Sequence, residues 1–162
     1  MCGNNVTDMG FAYYNCYNLT DSPVCGNYVT DMAGTYSNCR NLIGSPVCGD
    51  NVVDMAGTYY GCRNLTGSPV CGDNVVNMVY KEYIGYPTDY AYYGAYTSCT
   101  NLTGSPVCGP KVTDLTYVYY GCYNITRSPV CGDNVTNMFA TYSQCNGLTG
   151  SPVCGSNVTN MV

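Results

Sequence analysis

Apolar residues recur along this chain at a fixed, wide spacing. In residues 25–47 they are Val29, Met32, Tyr36, Cys39, Leu42 and Val47. The first four stand at offsets of 0, 3, 7 and 10, a one-sided pattern that predicts a short amphipathic helix of about two turns. The residue before each Met (or Leu115) is Asp8, Asp31, Asp54, Asn77, Asp114, Asn137 or Asn160, all types that cap a helix start. Two residues after the second cysteine stand Asn18, Asn41, Asn64, Asn101 and Asn124, then Gly147. Asn and Gly share a tolerance of positive φ, so this position is expected to close the helix in the left-handed conformation. Val24–Cys25 and its equivalents predict a short strand, with Pro23 at its entry, where a proline costs no ladder bond.

The whole phrase repeats. Cys-Gly occurs at 2, 25, 48, 71, 108, 131 and 154, so the spacing is 23 residues except once, where it is 37. The units are 2–24, 25–47, 48–70, 71–107 with 14 extra residues, 108–130 and 131–153, then a partial unit 154–162. A period of this length is the mark of a stacked repeat. One unit cannot bury its apolar side alone, whereas stacked units bury columns of like residues, such as Tyr13–Tyr36–Tyr59 and Leu19–Leu42–Leu65. The expected fold is a single repeat solenoid over 1–162, with one short parallel strand and one short helix in each coil.

The skeleton of Asn27–Leu42 and Asn134–Leu148, NVTDM…Y..C.NL in the consensus, resembles the BspA-like class of leucine-rich repeats. That resemblance implies right-handed α/β coils. It also implies a structural or adhesive role at a cell surface or in a virion fibre, hence an extracellular location. Tyr stands where the family pattern has Phe, and Ser-Pro-Val-Cys-Gly replaces a longer apolar strand.

Composition then narrows the chemistry. Five Lys and Arg against ten Asp and Glu give a net charge of −5, which argues against nucleic acid or an anionic membrane surface as a partner. No run of about 18 apolar residues is present to span a membrane. The opening MCGNNVTDMG has neither the basic region nor the apolar core of a secretory signal. With no His and a single Glu, acid–base catalysis would fall to Asp residues that caps and turns already explain. No enzyme and no cofactor is expected.

The thirteen cysteines form two columns. One is Cys2, Cys25, Cys48, Cys71, Cys108, Cys131 and Cys154. The other is Cys16, Cys39, Cys62, Cys99, Cys122 and Cys145. Buried thiols filling a narrow core are the leading reading, ahead of ladder disulfides. The spacings match no zinc-ligand pattern, so no metal is assigned. Calcium on the Asp8–Asp31–Asp54 column is disfavoured because Asn77 and Asn137 interrupt it. Seven Asn-x-Ser/Thr sequons, at Asn5, Asn18, Asn64, Asn101, Asn124, Asn134 and Asn157, use residues the repeat itself demands.

Two function readings follow. The first is a structural protein that polymerises with itself, head to tail, into a filament through exposed repeat ends. Its critical residues are Cys2, Val6, Met9 and Tyr13 at one end and Val153, Cys154, Val158 and Met161 at the other. The second is an adhesin or tail-fibre-like module that recognises a surface glycan or protein. Its face would be the insertion 79–92, VYKEYIGYPTDYAY, with Tyr80, Lys81, Glu82, Tyr83, Tyr86, Tyr90 and Tyr92.

Overall fold

In the computed structural model the described residues are 3–21, 25–44, 48–67, 71–85, 89–104, 107–127, 130–151 and 153–162. The expected α/β solenoid is not found. Among these residues there is no helix, and the two strands form one antiparallel hairpin. Strand β1 is Val79–Gly85 and β2 is Asp89–Gly94. The hairpin occupies the insertion.

Where the helix was expected, each unit makes a run of overlapping four-residue turns. In the first unit the N–H groups of Val6, Ala12, Tyr14, Cys16 and Leu19 donate to the carbonyls of Gly3, Met9, Phe11, Tyr13 and Cys16. Such turns bring every third or fourth side chain inward, which imitates helical spacing. The Asp and Asn residues do cap these turns. The N–H groups of Gly10, Ala33, Ala56, Thr116 and Phe139 donate to the side-chain oxygens of Asp8, Asp31, Asp54, Asp114 and Asn137, at 2.7–3.1 Å.

A helix cannot follow because two positions in each uninterrupted unit take positive φ. One is nine residues after the opening cysteine: Phe11, Gly34, Gly57, Tyr117 and Ala140. The other is the residue before the second cysteine: Asn15, Asn38, Gly61, Ser98, Gly121 and Gln144. Alternating hands of backbone turn N–H groups out of the unit, towards its neighbour. The left-handed residue therefore lies three positions earlier than Asn18 and its equivalents. Gly147 is small for another reason: a Cβ there would sit 2.8 Å from the carbonyl oxygen of Tyr123, to which its own N–H donates.

The expected strand reduces to isolated parallel bridges, Val107 to Val130 and Val130 to Val153. Val24, Val47 and Val70 lie outside the described residues. Further parallel bridges join Asp8, Asp31, Asp54 and Asn77 in succession, and Asp114, Asn137 and Asn160.

The 23-residue units thus lie as layers, each hydrogen-bonded to the next in register. Two rows of main-chain bonds cross the layers without a break. Tyr13, Tyr36, Tyr59, Tyr96 and Tyr119 donate their N–H groups to Thr35, Thr58, Ala95, Val118 and Thr141 of the following layer. Asn15, Asn38, Gly61, Ser98 and Gly121 donate likewise to Ser37, Tyr60, Thr97, Tyr120 and Ser143. All N–H groups in a row point the same way along the stack.

Side chains repeat the register. The rings of Tyr13, Tyr36, Tyr59, Tyr96, Tyr119 and Tyr142 stack with centroids 5.5–5.8 Å apart and planes within 12°. Met32, Met55 and Met78, and Leu42, Leu65 and Leu102, are fully buried beside them. Each such side chain contributes about 1.5–3 kcal/mol on burial. The hydroxyls of buried Thr35 and Thr58 each lie 2.8 Å from two carbonyl acceptors, one of their own layer (Met32 and Met55) and one of the previous layer (Met9 and Met32). No buried side-chain nitrogen or oxygen among the described residues lacks a hydrogen-bond partner.

Candidate functional site

The cysteines belong to the packing. The thiols of Cys39, Cys62, Cys99, Cys122 and Cys145 donate to the carbonyls of Tyr13, Tyr36, Tyr59, Tyr96 and Tyr119 in the preceding layer, at 3.0–3.1 Å. This geometry uses the thiol proton. Burial pushes Cys39 and Cys145 up to about 11, and Cys62, Cys99 and Cys122 well above the ordinary thiol range. Cys16, in the first layer, is exposed.

In the other column, Cys108 and Cys131 lie 3.7 and 3.5 Å from the hydroxyls of Tyr119 and Tyr142. That contact explains why these two stacked rings are tyrosines, since each hydroxyl needs a partner inside the core. Burial pushes Cys108 up to about 12. The twelve described cysteines, Cys16 to Cys154, form no disulfide with one another; Cys2 lies outside the described residues. No group of three His, Cys, Asp or Glu suited to a metal occurs among the described residues.

The residues singled out for the two ends are split by the structure. Val6, Tyr13, Cys154 and Val158 are partly buried against the core, and Met9 is buried. Val153 and Met161 are exposed. The carbonyls of Ala12 and Tyr14 begin the two unbroken rows, and no donor meets them among the described residues. The N–H groups of Tyr142 and Gln144 end the same rows, with no acceptor among the described residues.

The residues singled out in the insertion divide between the two faces of the hairpin. Opposed pairs are Tyr80 with Tyr93, Lys81 with Tyr92, Glu82 with Ala91 and Tyr83 with Tyr90. Opposed residues share a face. Lys81, Tyr83, Tyr90 and Tyr92 form one face. There the Lys81 ammonium sits 3.8 Å from the Tyr90 ring centroid, and Tyr92 stacks on Tyr117 at 5.4 Å. Tyr86 lies outside the described residues.

Tyr80, Glu82 and Tyr93 form the other face, which leans over the first three layers. Between them is a cleft of about 500 Å³. Its floor is Ala33, Gly34, Ala56 and Gly57, and its far wall is Phe11 and Tyr14. Phe11 and Tyr14 meet edge to face at 5.9 Å, as do Tyr60 and Tyr93 at 5.1 Å. Glu82, Asp54, Asn38 and Ser37 supply the polar groups. Partial burial, then the Glu82 carboxylate beside it, raises the Tyr93 phenol.

Sequence reasoning found Tyr80 and Glu82 of this cleft and missed Phe11, Tyr14, Tyr60 and Tyr93. A signal was present. The position nine residues after each opening cysteine reads Phe11, Gly34, Gly57, Tyr117 and Ala140 in the uninterrupted units. It is glycine in two consecutive units only, where the floor lies. A Cβ on Gly34 would stand 2.5 Å from the Phe11 ring.

No protein-family model, no curated protein and no solved structure matches the chain.

Proposed function

We propose that this chain is a non-enzymatic structural repeat protein that assembles end to end through the contacts that join its own layers. One observation carries the reading. The two main-chain rows begin on the Ala12 and Tyr14 carbonyls and end on the Tyr142 and Gln144 N–H groups. These are complementary, and they lie on opposite outer faces. A head-to-tail contact of this kind does not close on itself and so extends into a filament.

The joint has a definite geometry. Residues 154–162 already lie over residues 131–139, with Asn160 bridged to Asn137. The open part of the last layer therefore includes 140–150. An incoming copy places its residues 11–21 there and yields the place of its residues 3–10 to the segment already present. Tyr13 of one copy then stacks on Tyr142 of the other, continuing the ring column.

Electron microscopy of the purified chain at micromolar concentration tests this. Fibres of uniform width are expected, and Tyr13→Lys, which sets an ammonium in the joint, should leave single rods. Rods alone from the unaltered chain, or fibres undiminished by the substitution, would overturn the reading.

A further inference from the structure

The composition of the cleft under the hairpin calls for a separate account. Phe11 and Tyr14 are 57% and 48% exposed, Tyr80 is 45% exposed, and all three face the same space. Apolar rings held open beside one another generally mark a binding surface. The volume, about 500 Å³, falls within the range of small-ligand sites.

The chemistry of the lining narrows the ligand. Rings stand on both walls, so a flat ligand with an apolar face is held between them. Glu82 is exposed and offers carboxylate oxygens as acceptors. Asp54 uses one oxygen for the Ala56 N–H at 2.9 Å and the other for the Asn77 amide at 3.0 Å, and each oxygen keeps a further lone pair. The ligand must therefore bring several donors near an apolar face. A pyranose ring does so, with hydroxyls at its edge and C–H groups on its face.

Other ligands fit less well. An extended peptide would need free main-chain partners, but the floor uses its own. The Gly34 N–H donates to the Ala56 carbonyl, and the Ala33 and Ala56 N–H groups donate to Asp31 and Asp54. Among the described residues no Lys or Arg lines the cleft, while Asp54 and Glu82 do, so an acidic sugar would meet like charge. A small quaternary ammonium would need rings closing round it on all sides, whereas this floor is glycine and alanine.

We propose that the cleft between the hairpin and the first three layers binds a neutral saccharide, stacked between Phe11 and the Tyr60–Tyr93 pair and hydrogen-bonded to Glu82 and Asp54. The proposal does not depend on end-to-end assembly, because the cleft is formed within one chain, although Phe11 and Tyr14 also belong to the segment placed at the joint.

A glycan array probed with the whole chain, followed by titration of the strongest neutral glycan with amide NMR, tests this. Binding is expected to neutral glycans, with shifts at the Gly34 and Gly57 amides. Tyr93→Ala and Phe11→Ala should each weaken it tenfold or more, and Glu82→Gln several-fold. Tyr83→Ala, on the opposite hairpin face, should leave binding unchanged. Circular dichroism and the unfolding midpoint of each variant separate lost binding from lost fold. No array signal that Tyr93→Ala removes, a preference for acidic glycans, or Gly34 and Gly57 shifts produced by tetramethylammonium and by no neutral glycan would overturn the proposal.

Discussion

The layers and the hairpin use tyrosine in opposite ways. In the layers, Tyr36, Tyr59, Tyr96 and Tyr119 are almost wholly buried, stacked ring on ring. In the hairpin, Tyr80, Tyr83 and Tyr90 are exposed. The layers satisfy every described buried polar side-chain atom, and the hairpin spreads its rings and the Glu82 carboxylate towards solvent and a cleft. Where the sequence repeats, each copy exists to bury the next. Where the repeat is interrupted, side chains are released from that duty. The comparison separates what stabilises the protein from what is left at its surface.

Alkaline pH should break the layers most completely. Burial raises Cys39, Cys71 and Cys145 from an ordinary value of 9.0 to about 11, and Cys108 to about 12. The folded state thus keeps these protons where the unfolded chain has lost them. Stability is full below about pH 9 and falls as pH rises through 11 to 12. Urea midpoints measured in reductant from pH 7 to 12 should drop across that window; a flat profile would mean that the thiols are solvated.

A single break in the ring column comes next. Tyr96→Ala removes a fully buried ring stacked on both sides, at a cost of about 3–5 kcal/mol by analogy with other large aromatic core truncations. Equilibrium unfolding measures it. The cost of Thr58→Val should be about 1–3 kcal/mol, because the fully buried hydroxyl meets the Met32 and Met55 carbonyls.

The smallest effect sharpens the contrast. Joining Val79 to Gly94 through a two-residue turn, with the rest of the hairpin removed, should shift the midpoint by about 1 kcal/mol or less. Surface segments away from the core rarely matter more. A loss as large as that of Tyr96→Ala would show that the hairpin is part of the core. The same variant should abolish saccharide binding while leaving fibres intact.

Part of this was legible in the residues. The 23-residue period, the unit boundaries, the insertion at 79–92 and the alignment of Tyr13, Tyr36 and Tyr59 all follow from self-similarity along one dimension. The asparagines and glycines at 15, 38, 61 and 121 were equally visible, yet an inward residue every three or four positions suits a helix and a run of turns alike. Local spacing cannot tell the two apart.

The sequence by itself determined which residues recur, and so which side chains could form columns. Only the tertiary structure decided what the backbone does between them. The N–H groups of Tyr36 and Asn38 bond to the next layer rather than to their own. That choice depends on a neighbour 22 residues away in sequence and one layer away in space. The cleft was decided there too. Phe11, Gly34, Tyr60 and Tyr93 come from four different units, and only register brings them to one place.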